Sequence, residues 1–216
     1  MRTRSSSILK NLSCAVLAGG ESSRFGSYKA LAPLNGKPLI VHVVSRLKTL
    51  MEDILISVSN EAQKRVIGQL FREENVKILI DPQLEVHAPL IGFYTCLKHC
   101  STSLIFVVAC DMPYVSPIAV RILYREMLSR QVDAIVPMWS NGMIEPLHAI
   151  YSSEKALRAA KEAIKRRRLD MRALLEELSA VYYIPVNVLF QEGVSPMTFY
   201  NINYPRDLQR LSSLNN

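Results

Sequence analysis

Cys14-Ala15-Val16-Leu17-Ala18-Gly19-Gly20-Glu21-Ser22-Ser23-Arg24-Phe25-Gly26-Ser27-Tyr28-Lys29 decides how the rest of the chain is read. Its first four residues are an apolar run that reads as a strand. Three glycines, two of them adjacent, three serines, an arginine and a lysine then follow within twelve positions. Glycine lets the backbone approach a ligand closely, so that successive N–H groups can face one anion. Arg24 adds a planar two-pronged donor and Lys29 a point charge. Two glycines alone would be an ordinary surface turn. Placed in series after a strand, with both cations, they read as a loop that holds phosphates.

Downstream, apolar runs and helical repeats alternate. Ala30 to Leu34 leads into the turn Asn35-Gly36-Lys37-Pro38, a strong turn signal. Leu39, Val43, Val44 and Leu47 recur at helical spacing. Asp53 to Ser59 reads as a second strand. A helix starting at Asn60-Glu61 follows, with Val66, Ile67, Leu70 and Phe71 as its apolar face. Val76 to Ile80 is a third strand, closed by Asp81-Pro82, and Leu90 to Leu97 is a buried helix. Leu104 to Cys110 is the most apolar strand and implies burial on both faces. It ends at Asp111-Met112-Pro113, and Ser116-Pro117 then starts a helix.

Four strands alternating with crossover helices predict βαβ units and a mostly parallel sheet. Ligands of such sheets collect beyond the carboxyl ends of the strands. The glycine loop, Asn60, Asp81 and Asp111 each follow a strand, so all four are expected along one edge. Further on, Ala134 to Pro137 and Glu145 to Tyr151 read as a strand and its return. Helical runs are expected over Ser153 to Arg168 and Asp170 to Leu178. Val181 to Val186 and Thr198 to Ile202 read as further strands, and Asn203 as the cap of a last helix with Pro205 in its first turn. Residues 1–12 are read as a flexible arm and residues 13–212 as one domain.

A chain of 216 residues with 49% apolar and 21% charged residues is ordinary for a globular α/β domain. No run approaches the ~18 apolar residues of a membrane span. The first twelve residues lack an apolar stretch of signal-peptide length, so a cytoplasmic protein is expected. The net charge of +7 suits anionic partners. Much of it lies in the arm and in Lys165-Arg166-Arg167-Arg168, which reads as a solvated helix end. Aromatic residues do not interleave with the basic ones, so neither nucleic acid nor a membrane is expected as partner. Cys14, Cys96, Cys100 and Cys110 show no zinc spacing and read as thiols of the interior.

Asp111 is the strongest candidate metal ligand, because Mg²⁺ takes one or two carboxylates together with substrate phosphates. Asp81 can accept hydrogen bonds from a sugar hydroxyl or a base edge, although Asp-Pro is also a simple turn former. Glu145 is a further possible ligand, and His87 reads as incidental. Neither Gly-x-x-x-x-Gly-Lys-Ser/Thr nor Gly-x-Gly-x-x-Gly is present, which argues against a P-loop hydrolase and a nicotinamide dehydrogenase. Nucleotidyl transfer needs neither, since the nucleophile can belong to the substrate while the protein positions it and balances charge.

The chain resembles the molybdenum cofactor guanylyltransferases, within the wider nucleotidyltransferase group. The resemblance is carried by the Leu-Ala-Gly-Gly loop with Arg24 and Lys29, Asn-Gly-Lys-Pro-Leu at Asn35 to Leu39, and Asp81. It continues through Pro-Leu-x-Gly at Pro89 to Gly92, Asp111-Met112-Pro113, and Asn201-Ile202-Asn203. It implies a single-domain, three-layer, Rossmann-like α/β fold with nucleotidyltransferase-type (glycosyltransferase-A-like) topology. The implied reaction transfers GMP from GTP to the phosphate of Mo-molybdopterin and releases pyrophosphate, with Mg²⁺ as cofactor. By the same resemblance Leu17, Ala18 and Gly19 contact the nucleotide, Lys29 its phosphates and Asp81 the nucleoside. Asp111 would contact nucleotide and metal, Arg24, Lys29 and Asp111 would form the catalytic set, and Asn203 would contact the acceptor. Molybdoenzymes or cofactor-delivery proteins are the implied protein partners. Two positions depart from the family pattern. Ala88 stands where a glycine usually precedes Pro-Leu-x-Gly, and the asparagine after the second strand has no clear match beyond nearby Asn60. A molybdopterin cytidylyltransferase, a cobinamide-phosphate guanylyltransferase, a sugar-phosphate nucleotidyltransferase and a non-catalytic nucleotide-binding protein remain alternatives.

Overall fold

The computed structural model describes residues 9–20, 25, 28–83 and 88–213. Most of the arm, the middle of the glycine loop, residues 84–87 and the last three residues lie outside that set. Leu9 N donates to Leu50 O at 2.7 Å, so the chain is already tied to the fold three residues before its first strand.

Seven strands form one sheet: β1 (Leu12–Leu17), β4 (Ile54–Val58), β5 (Val76–Ile80), β6 (Leu104–Ala109), β7 (Ala134–Met138), β8 (His148–Ser152) and β9 (Val181–Pro185). Their spatial order is β5-β4-β1-β6-β8-β7-β9. Only β8 runs against its neighbours, pairing antiparallel with β6 and β7, while all other pairs are parallel. The strand order reverses direction between β1 and β6, the place where open α/β sheets leave a crevice. A two-stranded hairpin, β2 (Pro33–Leu34) and β3 (Lys37–Pro38), turns at Asn35 and Gly36. Their positive φ values of 49° and 76° are what a two-residue turn of this kind demands.

Period-two alternation sends each central strand to both faces. Cys14 and Val16 pack with α1 (Leu39–Leu47), α2 (Glu61–Leu70), α4 (Pro117–Arg130) and α7 (Val186–Gln191). Ala15 and Leu17 pack with α3 (Pro89–His99), α5 (Ser153–Lys165) and α6 (Met171–Glu176). The result is the expected three-layer α/β arrangement. Each fully buried large side chain, such as Phe106 or Leu55, contributes about 1.5–3 kcal/mol. Cys14, Cys96 and Cys110 are buried and Cys100 half-buried, all as free thiols.

Several local expectations are corrected. Thr198 to Ile202 is not a strand: Pro196–Phe199 is a 3-10 turn, with Ser195 accepting from Met197 N, and the chain beyond it is irregular. Val186–Gln191 is a short helix unmarked by any cap. The last helix, α8 (Pro205–Ser213), is entered through Asp207, whose Oδ2 accepts from Asn203 N and Tyr204 N at 2.9 and 2.8 Å. Asn203 is thereby relieved of the capping role. The apolar face of α2 is narrower than its sequence suggests, with Ile67 buried but Val66 and Leu70 exposed. Asn60 and Ser116 do cap α2 and α4, accepting from Gln63 N and Ala119 N. The basic run at the end of α5 is solvated as expected, with Arg166 on Glu177 and Arg168 on Glu176. No helix among the described residues is long and apolar enough to cross a membrane.

Candidate active site

A cavity of about 260 Å³ opens at the carboxyl ends of β1, β4, β5 and β6. The end of β1 forms its floor, and neighbouring strands hold that end in place. Ala18 N donates to Ser57 O at 2.9 Å, and Cys110 N donates to Leu17 O at 3.0 Å. Tyr28 donates its hydroxyl to Ala18 O at 2.9 Å, and Ser59 Oγ donates to Gly19 O. Burial, then Cys110 and Asp81, push the Tyr28 phenol far above its ordinary pKa, so it stays a donor.

Two glycines make room for Asp81. A Cβ on Gly19 would lie 2.7 Å from Asp81 Oδ2, and one on Gly92 would lie 3.4 Å from that oxygen and 2.4 Å from Ser57 Oγ. The carboxylate thus sits between the first loop and the first turn of α3, in a gap that any larger residue would close. Asp81 is buried at the end of β5, with its N–H donated to Val58 O at 2.8 Å. Ser57 Oγ is buried and accepts no hydrogen bond from any described residue.

On the opposite wall Lys29 Nζ lies 2.5 Å from Asp111 Oδ2 and 3.2 Å from Asn203 Oδ1. Asp111 is held through its backbone as well, its carbonyl accepting from Ile202 N at 3.0 Å. The second carboxylate oxygen, Oδ1, is buried with no hydrogen-bond partner among the described residues. No group of three or more His, Cys, Asp or Glu able to hold a metal alone occurs among the described residues. A single carboxylate with one unmatched oxygen fits a hard cation that brings most of its other oxygens with a phosphate ligand. Burial, then the neighbouring Asp111, push the Cys110 thiol up to about 12, which leaves it neither nucleophile nor ligand.

Leu17, Ala18, Gly19, Lys29, Asp81 and Asp111 therefore line one cavity, and Asn203 reaches Lys29 from the C-terminal end of the chain. Arg24 and His87 lie outside the described residues. Asn60 is exposed at its helix cap and does not line the cavity. Glu145 is turned away: its Oε1 accepts from Trp139 Nε1 at 2.7 Å, and it lines a neighbouring cavity of about 430 Å³ with Asp170, Arg172 and Asn201. The two cavities share Pro89 and Leu147. Tyr28, Ser57 and Leu147 were not singled out by sequence. For Ser57 the available signal was one hydroxyl inside the apolar run Ile54-Leu55-Ile56-Ser57-Val58.

A family model described as a MobA-like NTP transferase domain matches residues 14–181. A probable molybdenum cofactor guanylyltransferase of Pyrococcus horikoshii is 36% identical over 199 residues, covering 91% of this chain and 97% of the relative. A protein of the same description from Thermococcus kodakarensis is 35% identical over 202 residues, 93% of this chain and 94% of the relative. Among solved structures, molybdopterin-guanine dinucleotide biosynthesis protein A of Archaeoglobus fulgidus superposes with a TM-score of 0.80 at 28% identity, covering 94% of this chain and 98% of that one. The bifunctional IspDF of Campylobacter jejuni shares the fold alone, at 14% identity and a TM-score of 0.69 over 53% of its length.

Proposed function

This chain belongs to the MobA-like NTP transferase family and is a nucleotidyltransferase, and from that premise we propose that it transfers GMP from GTP to the phosphate of Mo-molybdopterin. An acceptor phosphate oxygen forms the new bond to the α-phosphorus of GTP, the bond from that phosphorus to the bridging oxygen of the β-phosphate breaks, and pyrophosphate leaves. The observation that carries the reading is the Asp81 carboxylate seated between Gly19 and Gly92, across one cavity from the Lys29–Asp111 pair. A nucleoside end and a phosphate end are both provided.

In this reading Asp81 accepts hydrogen bonds from the nucleoside, and the backbone of Leu17, Ala18 and Gly19 lies along it. Lys29 meets the phosphates, with Arg24 as a second cation. Asp111 would hold Mg²⁺, which when bound supplies charge neutralisation at the phosphates. The protein's own contribution is positioning and fixed charge, which suffices for phosphoryl-type transfer. The acceptor takes the adjoining cavity with Asn201, and Asn203, two residues on, meets Lys29. The enzyme is taken to act in the cytoplasm, and to pass its product to a molybdoenzyme or a delivery protein.

The test is a nucleotide panel. GTP with Mg²⁺ should raise the melting temperature more than CTP or ATP, since a ligand stabilises the fold according to its affinity. With loaded molybdopterin, only GTP should then release pyrophosphate. Turnover of CTP in preference to GTP would overturn the guanine assignment and leave the transferase class standing.

A further inference from the structure

His148 is the one fully buried imidazole among the described residues, at the start of β8 opposite Val108 of β6. It does not line the nucleotide cavity. Its ring stands edge-on to Phe106 at 5.3 Å and to Phe199 at 4.8 Å between centroids. Nε2 lies 3.4 Å from Thr198 Oγ1, and Nδ1 is buried without a hydrogen-bond partner among the described residues. Burial lowers its pKa to about 3, so the ring is neutral at working pH. For packing alone, leucine or phenylalanine would avoid leaving a ring nitrogen unmatched. The polar contact to Thr198 is what a histidine adds.

Thr198 is the first fixed point of a short strap. Its Oγ1 accepts from Ser116 N at 2.8 Å, on the turn that follows Asp111. Four residues later Ile202 N donates to Asp111 O at 3.0 Å, and Asn203 Oδ1 then meets Lys29 Nζ at 3.2 Å. Between these points Phe199 is wedged against Trp139, 5.5 Å away, as well as His148. The strap runs over irregular backbone with no sheet ladder to fix its register. Side-chain contacts at Thr198 and Phe199 fix it at one end, and the Ile202 N to Asp111 O bond at the other.

We infer that His148 is a positioning residue for nucleotidyl transfer: by holding Thr198 and Phe199 it sets the strap that brings Asn203 to Lys29 and Ile202 to Asp111. Its effect falls on the acceptor side of the reaction, because Asn201 of the strap lines the adjoining cavity and Asn203 meets Lys29 of the nucleotide cavity. This inference rests on the transferase reading given above.

Steady-state kinetics with GTP and Mo-molybdopterin test it. His148→Phe keeps an aromatic ring in place but has no nitrogen to meet Thr198. It should leave the KM for GTP within twofold of wild type while kcat/KM for the acceptor falls about five- to tenfold, the scale of one lost net hydrogen bond. His148→Gln, whose amide nitrogen reaches about as far as Nε2, should recover at least half of that loss. Thr198→Val should lose at least as much, since it also gives up the bond from Ser116 N, and His148→Leu, which likewise lacks the nitrogen, carries the test if His148→Phe does not fold. Unchanged kinetics in the folded variants, or an equal loss for GTP and acceptor with no recovery by glutamine, overturns the inference. Wild-type protein that turns over no nucleotide overturns the transferase reading, and this inference with it. Wild-type turnover beside an unaffected variant overturns the inference only.

Discussion

Lys29 and Asp111 form an ion pair with Nζ 2.5 Å from Oδ2, joining the end of the glycine loop to the end of the central strand β6. Each side chain is less than a fifth exposed, so the pair is more than a surface contact. With Asn203 on the same ammonium group, three distant parts of the sequence meet at one nitrogen. In the free protein the pair keeps two opposite charges compensated at the place where a triphosphate and its metal are proposed to bind.

Removing either charge should therefore abolish most turnover. Lys29→Ala and Asp111→Asn are each expected to lower kcat by about 100- to 1000-fold, the scale of losing one fixed electrostatic contact to the reacting group. Pyrophosphate release measures it. Asp111→Asn should also raise the Mg²⁺ concentration for half-maximal rate, whereas Lys29→Ala should act on the rate at saturating metal. The double variant should lose less than the sum of the two.

Gly92 should tolerate no side chain while Ser57 stands opposite. A Cβ there would come 2.4 Å from Ser57 Oγ. Gly92→Ala is expected to destabilise by about 1–3 kcal/mol through overpacking and to raise the KM for GTP. In a Ser57→Ala background that clash is gone, and alanine at a helical position is favoured over glycine by about 1 kcal/mol. The sign of Gly92→Ala on urea unfolding should then weaken towards neutral or reverse. Equal costs in both backgrounds would show that the hydroxyl is not what excludes the methyl group.

The parallel core of the sheet was legible because β1, β4 and β6 are buried on both faces and, like the half-buried edge strand β5, run into glycine or polar residues at their carboxyl ends. That rule brought Asp81 and Asp111 to one edge with Leu17 and Gly19. The antiparallel β8 was legible only as a return, since direction does not register in a run such as His148-Ala149-Ile150-Tyr151. Thr198 to Ile202 reads as a strand from sequence, and wrongly, because Phe199 and Ile202 are apolar for a different reason. They pack against Trp139 and the β2–β3 hairpin rather than into a ladder. Ser57 and His148 went unread for a common cause. Each is a polar side chain inside an apolar strand, and only its neighbours in space say what it meets.

Asp133 offers a test of stability away from the site. It is buried before β7, where Oδ2 accepts from Ser179 N and Ala180 N at 3.0 Å each and Oδ1 takes Lys155. Burial raises its pKa, but the hydrogen bonds from Lys155, Ala180 and Ser179 outweigh that and hold it below the ordinary value. Asp133→Ala leaves two buried N–H groups unmatched and should cost about 2–4 kcal/mol by urea unfolding at pH 7. The lowered pKa means that Asp133 stabilises fully above the unfolded carboxylate range and progressively less as pH falls through the folded value. The difference between wild type and variant should accordingly shrink in acid, while kcat of the folded variant stays near wild type.

His148 gives the complementary acid response. Its ordinary pKa of 6.5 drops to about 3 in the fold because burial disfavours the charged ring. The side chains packed on it, Phe106, Phe199 and Thr198, carry no compensating charge. Between these two values the unfolded chain binds a proton that the folded chain does not, so stability rises with pH across the window and is lost on going down through it. Once well below 6.5 the loss approaches about 1.4 kcal/mol per pH unit. His148→Phe removes this term and leaves the carboxylates of the fold untouched. Melting temperatures of the two proteins should run parallel from pH 8 to 7 and then diverge towards pH 4.5, with wild type falling faster. Parallel curves over the whole range would mean that the folded protein can charge this ring, and that the imidazole is reached by water or by a carboxylate when the pH drops.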